Sequence, residues 1–186
     1  ERLLVALIIG TVPAFIFGLL LEDIMATMFR SPYLVAYALL GGSFVMLGAE
    51  YIAAKLEKNK KLADATWKDG LIIGFFQALA LVPGMSRSGM TISGGLFLGL
   101  SREAAARFGF LLAVPIIAGS GLKKLLELWW GGELVSLGLP LLAGSLTAFL
   151  SGLLAIHFLL LFLRSQPLYI FIAYRVLLAG VILFFL

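Results

Sequence analysis

Cysteine is absent from this chain of 186 residues, histidine occurs once, and charged side chains make up only 13% of it. The missing cysteine excludes a disulfide framework and every thiolate metal site or nucleophile, although it says little about redox compartment. The scarcity of charge excludes more. With 62% hydrophobic residues and a mean hydropathy of +1.10, the chain is far too apolar for an ordinary water-soluble domain, and its solvent is lipid. The net charge of +4 sits in short segments between apolar runs, where it reports membrane orientation and not a nucleic-acid partner. The chain opens on Glu1 and enters an apolar span after two residues, so no cleavable signal peptide is visible and the start reads as truncated or trimmed.

What is present is a series of apolar runs. Five are long enough to cross a hydrocarbon core of about 30 Å as helices: 3–21, 33–54, 104–122, 141–163 and 168–186. Pro13 and Pro115 fall inside two of them and suggest kinks, because neighbouring helices in lipid can satisfy a freed carbonyl. Between the second and third runs the pattern changes. Residues 71–82 are apolar, Pro83-Gly84 interrupts, and 90–100 are apolar again. At about 1.5 Å per residue each piece reaches only about 16–18 Å, roughly half the core. One kinked spanning helix is conceivable. The preferred reading is a re-entrant helix–loop–helix, because the break at 83–89 holds two glycines and a full charge.

The distribution of positive charge supports that choice. With a re-entrant pair, one face collects Arg2, Lys55, Lys58, Lys60, Lys61, Lys68, Arg102, Arg107 and Arg164, nine in all, against Arg30, Lys123 and Lys124 opposite. With a spanning pair the split weakens to about eight against four. The richer face is then cytoplasmic and the C-terminus lies outside. Trp129 and Trp130, beside Glu127 and Glu133, fit an outer interfacial belt. The fold expected is an all-α integral membrane protein with five full transmembrane helices and one re-entrant helix–loop–helix.

Arg87 is the most informative residue. A guanidinium near the bilayer centre costs a few kcal/mol or more, so it needs an anionic partner or water. An ion pair with Glu50 would supply one structurally. The functional alternative rests on its neighbours: Ser86, Ser88 and Thr91 bring hydroxyl groups, and Gly84 and Gly89 allow backbone N–H groups to approach a ligand. The second half-helix begins just after this cluster, aiming its unpaired N–H groups and positive dipole end at the loop. Together these parts make an anion site suited to phosphate, with Arg chosen for bidentate contact. In phosphoryl transfer the same contacts would stabilise charge on the equatorial oxygens.

The remaining polar residues in apolar segments are weighed in the same way. Gln77, six residues before Pro83, either binds phosphate or ties the half-helices together. His157, alone among leucines, reads as a packed or lipid-facing residue. Arg175 is placed within snorkelling reach of the cytoplasmic headgroups, as a structural residue. Glu103 and Arg107 form an i,i+4 pair at a helix start. Gly41-Gly42, Gly94-Gly95 and Gly99 permit close helix packing.

The string from Gln77 to Ile92, QALALVPGMSRSGMTI, followed by SREAAARF at 101–108 and LLAVP at 111–115, closely resembles the bacterial undecaprenyl-diphosphatase, or bacitracin-resistance, family. Val12-Pro13-Ala14, Thr66-Trp67-Lys68-Asp69 and Tyr174-Arg175 carry the resemblance across the chain. It implies hydrolysis of undecaprenyl diphosphate to the monophosphate, which recycles the lipid carrier for peptidoglycan and cell-wall synthesis. It further implies a divalent cation, Mg2+ or Ca2+, and a multi-pass protein of the bacterial cytoplasmic (inner) membrane whose site opens to the periplasmic face. Catalysis falls to Arg87, Ser86 and Ser88, and substrate binding to Gly84, Gly89, Thr91 and Gln77. The implied architecture is two inverted repeats. Residues 1–54 are then the last two transmembrane helices of the first, 55–70 a cytoplasmic linker, and 71–186 the second. A homodimer is the assembly considered.

The family's first repeat carries a glutamate-rich half-helix and a Pro-x-Ser-Ser-Thr-Gly-His loop that nothing here matches, so roughly the first third of a member is absent, with its histidine and metal-binding glutamates. His157 matches no family motif. A polyprenyl-phosphate transporter or flippase is the alternative reading, since transporters also use broken half-helices. Type 2 phosphatidic-acid phosphatases are excluded because their chemistry needs two histidines.

Overall fold

The computed structural model describes residues 1–21, 24, 31–56, 59–134 and 136–186; Arg30 and Lys58, counted above among the loop cations, lie outside them. Among the described residues every regular element is helical. These are α1 (Arg2–Leu20), α2 (Pro32–Leu56), a 3-10 turn (Leu62–Asp64), α3 (Trp67–Leu79), α4 (Arg87–Phe97), α5 (Arg102–Trp130), α6 (Gly138–Ser165) and α7 (Tyr169–Phe185). Long unbroken apolar runs favour this solution, because a helix satisfies its backbone donors and acceptors within the segment where lipid offers none. Four helices, α1, α2, α5 and α6, are long and apolar enough to cross a membrane, while α7 is apolar but only 17 residues long. The chain is a multi-pass membrane protein.

Pro13 and Pro115 lie inside α1 and α5 without ending them, as the composition of a lipid-embedded helix allows. Helix α5 runs on past the apolar run that ends at residue 122. Lys123, Lys124 and Glu127 are good helix formers, so hydrogen bonding continues to exposed Trp129 and Trp130 at its end.

The two short helices are separated by a turn. A capping box opens α3: the Thr66 backbone N–H donates to Asp69 Oδ2 at 2.6 Å, and the Asp69 N–H to Thr66 Oγ1 at 3.4 Å. After Leu79 the chain tightens through backbone bonds from Ala80, Leu81 and Val82 to the carbonyls three residues back, and Pro83 is buried behind them. Gly84 then takes φ +98°, a region that L side chains rarely enter. A Cβ there would also come within 2.6 Å of the Val35 carbonyl oxygen on α2.

The beginning of α3 and the end of α4 meet at one residue. Lys60 Nζ donates to Asp69 Oδ2 at 2.6 Å, its backbone N–H donates to the Gly99 carbonyl at 2.9 Å, and its carbonyl accepts from Ser101 N–H at 3.0 Å. Several cations expected on one face gather at that end. Arg107 and Arg164 both donate to Glu103 Oε1, at 2.7 and 3.0 Å, and Arg2 and Lys68 line a common surface pocket. The Glu103–Arg107 contact is the i,i+4 pair read from the sequence.

Packing is made by small residues, as expected where lipid tails are as apolar as leucine and close backbone approach supplies the attraction. Helices α1 and α3 cross at Gly10, Gly70 and Gly74, where added Cβ atoms would strike backbone carbonyls of the opposite helix. Met46, Ala49, Ile73, Met90, Leu96, Ala105, Phe108 and Leu112 form the central core. Ala36, Leu39 and Ala179 join α2 to α7. On α6 only Leu163 is buried among the described residues, so His157 lies on an exposed face, edge-on to Phe158 at 5.9 Å.

Glu50 fixes the ends of three elements. Its carboxylate is 1% exposed and accepts from Arg102 Nη2 at 2.5 Å, from Arg102 Nε at 3.0 Å, and from the Leu168 backbone N–H at 2.8 Å. The end of α2, the start of α5 and the N-cap of α7 are thereby held together. The two partners are not equivalent, because the Arg102 side chain is 35% exposed and that of Glu50 is not exposed. Losing the cation strands a charge that cannot reach water. Losing the acid leaves a cation that can. Arg102→Ala therefore destabilises by about 3–5 kcal/mol, and Glu50→Ala by less; thermal unfolding in detergent reads the order. Gly84→Ala costs of order 1–3 kcal/mol on the same measurement, since it meets both the strained φ and the Val35 backbone.

Candidate functional site

The N-terminus of α4 is built around Ser86. Its φ is +71°, and among the described residues no other non-glycine residue has positive φ. Its Oγ accepts from Gly89 N–H at 3.2 Å, and its carbonyl accepts from Met90 N–H at 3.0 Å. The Gly89 contact caps one of the four N–H groups that a helix start leaves unpaired, the Met90 contact is the first regular bond of α4, and the N–H groups of Arg87 and Ser88 have no intrahelical acceptor. Gly89 is buried; a Cβ on it would meet Met46 Sδ at 2.9 Å and Ser86 Oγ at 3.1 Å. Its smallness serves the cap and the approach of α2.

Ser86, Ser88 and Gly89 line a cavity of about 330 Å³. Leu39, Met46, Ile92, Leu159 and Phe171 make its walls apolar. Ser88 also borders a smaller cleft, where Arg87 lies with Thr91 and Gly109. Ser86, Arg87 and Ser88 are exposed. The site is thus a polar edge, made of hydroxyl and guanidinium groups, on an otherwise oily hollow.

The ion pair of Arg87 with Glu50, weighed from sequence, is not formed. Glu50 is taken by Arg102 and the Leu168 N–H, and the Arg87 side chain makes no hydrogen bond or ion pair among the described residues. Sequence distance hid this, because Arg102 is 52 residues from Glu50 and Leu168 is 118 away.

The other expected residues divide. Thr91 is buried and its hydroxyl donates to the carbonyls of Arg87 and Ser88, at 3.1 and 3.3 Å. It braces the first turn of α4 and leaves its proton within the helix. Gln77 is 2% exposed, and neither Nε2 nor Oε1 has a partner among the described residues. Gly84 sits at the turn, its carbonyl directed to a neighbouring helix.

The donor to that carbonyl is Arg175, and here the snorkelling expectation is overturned. Arg175 is 7% exposed. Its Nε donates to Ser43 Oγ at 3.2 Å, and its Nη2 to the Leu39 and Gly84 carbonyls at 3.1 and 2.9 Å. It lines the same cavity as Ser86 and Ser88. The side chain turns inward because Gly42, opposite it on α2, has no side chain to fill the space. The sequence carries no signal of this: that Arg175 and Ala179, four apart on one helix face, are the buried residues of α7 is visible only in the structure.

The cation implied by the resemblance finds no ligand set here. Among the described residues no three acidic, histidine or cysteine side chains converge, and Glu50 is already bound by Arg102. Hydroxyls and guanidinium groups alone do not hold a hard divalent cation.

Comparison with known proteins bears on the whole chain. A curated relative from Mycolicibacterium gilvum, named undecaprenyl-diphosphatase, is 45% identical over 181 residues, 96% of this chain and 64% of its own length. Proteins of that name from Mycolicibacterium smegmatis and Moorella thermoacetica are each 46% identical, covering 95% and 97% of this chain and 63% and 67% of theirs. The chain therefore spans about 63–67% of the length of these relatives. The model of the family described as bacitracin resistance protein BacA matches residues 1–181. That stretch takes in the broken helix pair, the strained turn and the inward-facing Arg175, and the chain belongs to this BacA family.

Proposed function

We propose that the complete protein hydrolyses undecaprenyl diphosphate to undecaprenyl phosphate and inorganic phosphate, returning the lipid carrier to cell-wall synthesis and so underlying bacitracin resistance. The observation that carries this reading is the apolar cavity edged by Ser86 and Ser88, with the unpaired Arg87 side chain in the cleft that adjoins it at Ser88. Such a hollow suits a ligand that is a phosphate ester at one end and a hydrocarbon at the other. The relatives' printed name, undecaprenyl-diphosphatase, points to the same chemistry.

In this proposal Arg87 and the free N–H groups at the start of α4 take the charge that gathers on the phosphoryl oxygens as the bridging bond breaks. Ser86 and Ser88 orient those oxygens through their hydroxyls. Gly84 and Gly89 let the turn approach closely, Thr91 stiffens the first turn, and Gln77 supports the half-helix leading into it. A divalent cation, Mg2+ or Ca2+, belongs to the proposal with ligands from elsewhere in the complete polypeptide.

The finer topology belongs to the same proposal. The contacts of Lys60 with both Asp69 and the Gly99–Ser101 backbone support a re-entrant pair, with α7 as a fifth span. The gathering of Arg2, Lys60, Lys68, Arg102, Arg107 and Arg164 supports a cytoplasmic face there and a periplasmic opening for the site. Residues 71–186 then form the second of two inverted repeats, in a bacterial inner-membrane protein that assembles as a homodimer.

Arg87→Ala in the complete protein lowers phosphate release from undecaprenyl diphosphate by about 100- to 1000-fold, the scale of losing one preorganised charge-stabilising group. Detergent melting of the variant stays at the wild-type temperature, since the Arg87 side chain carries no hydrogen bond or ion pair among the described residues. Turnover within a few-fold of wild type removes Arg87 from the mechanism.

A further inference from the structure

The cations gathered at one end of the bundle divide into two groups. Lys60, Arg102, Arg107 and Arg164 are each paired with a carboxylate. Arg2 and Lys68 are exposed, and neither side chain makes an ion pair or a hydrogen bond among the described residues. Asp69, next to Lys68 in the chain, is spent on Lys60 Nζ and on the N–H and hydroxyl of Thr66, at 2.6, 2.6 and 2.7 Å. Two positive charges are thus left over where their neighbours are matched.

The two converge on one place. Arg2, from the first turn of α1, and Lys68, from the first turn of α3, line a cavity of about 570 Å³ with Glu1, Val5, Thr66 and Trp67. The helices run side by side in the same direction, since Gly70 lies against the Ala6 backbone and Gly74 against that of Gly10, so both cations sit at one level. Lys68 Nζ lies 5.6 Å from the centroid of the exposed Trp67 ring, which holds an ammonium beside an indole. Indole rings so placed settle between hydrocarbon and headgroups. Further along both helices, Val5, Val12, Ile72 and Phe75 are exposed and apolar. Glu1 brings one carboxylate to two cations and pairs with neither. The result is a positive excess at the head of an oily strip. A soluble anion would leave the strip uncovered, and a zwitterionic lipid would bring a cation of its own. An anionic lipid matches both parts.

We propose that this cavity binds an anionic phospholipid of the leaflet at that end, with its phosphate between Arg2 and Lys68, its glycerol region against Trp67 and its acyl chains along α1 and α3. The site is separate from the one edged by Ser86 and Ser88, and it does not depend on the diphosphatase reading. Its occupant ties the start of α1 to the start of the half-helix that leads into the turn.

The test reads Trp67 fluorescence in the complete protein, with every other tryptophan replaced by phenylalanine. The protein is reconstituted in phosphatidylcholine vesicles that carry either brominated phosphatidylglycerol or brominated phosphatidylcholine at equal fraction. The brominated phosphatidylglycerol quenches as if enriched at Trp67 by roughly 10- to 30-fold, the scale of two cations acting on one headgroup. Replacing both cations, Arg2→Gln with Lys68→Gln, brings the two lipids to within about twofold of each other. Arg107→Gln, on the same face but paired with Glu103, leaves the enrichment as in wild type. Equal quenching by the two lipids in wild type overturns the proposal. So does an enrichment that survives the double substitution, or one that Arg107→Gln lowers as far, because the basic face as a whole would then attract the lipid. Absence of quenching by either lipid means that protein fills the cavity, and overturns it as well. Should the phenylalanine background fail to fold, native mass spectrometry of the wild-type protein and the double variant with the same two lipids decides. Retention of phosphatidylglycerol by wild type and not by the variant supports the proposal, and equal retention overturns it.

Discussion

Burying a charge in hydrocarbon is the costliest thing this chain does, and the answers to that cost organise both its fold and its site. Helices remove the backbone from consideration, since each N–H and C=O finds its partner within the segment. What remains is a handful of ionisable side chains. Glu50 is the most deeply buried acid among the described residues, and it is satisfied by three donors from two distant parts of the chain. Because Arg102 and the Leu168 N–H are both committed to it, the starts of α5 and α7 are tied to the last two turns of α2. The register of the bundle follows from one carboxylate.

That commitment also explains the site by subtraction. A chain with so few acids has little to spare, and once Glu50 is engaged, Arg87 has no internal counter-charge among the described residues. Arg87 can tolerate this through exposure on the edge of the turn. Arg175 cannot, being 7% exposed, and is held instead by neutral oxygens that position its charge without cancelling it.

The extent to which all this is legible in the sequence depends on the range of the interaction concerned. Runs of apolar residues, the break at Pro83-Gly84 and the i,i+4 pair of Glu103 with Arg107 are local facts, and the helices and that ion pair appear where local physics puts them. The partner of Glu50 is not a local fact. Nothing in the neighbourhood of residue 50 distinguishes Arg87 from Arg102, and only the return of α4 beside Lys60 brings the second and not the first within reach. Arg175 is illegible for a related reason. Whether a long cationic side chain snorkels or turns inward depends on the surface it meets, and here that surface is Gly42 and Ser43 on a helix more than a hundred residues earlier. Thr91 shows the limit of reading side chains by type: its hydroxyl looks like a ligand donor in the string and is spent on the carbonyls of its own helix.

Ser86 joins these strands. A serine at φ +71° is held against its own preference, and such a residue keeps its conformation only where its neighbours over-determine it. On one side its hydroxyl and carbonyl are tied to Gly89 and Met90 of α4. On the other, two residues away, Arg175 grips the Gly84 carbonyl and α2 presses on the space a Cβ would occupy. The turn is clamped from the helix that follows it and from the last helix of the chain. Its exposed serines and free N–H groups are therefore set in advance, and under the proposed function a phosphoryl group entering the cavity would meet dipoles that need not reorganise to receive it.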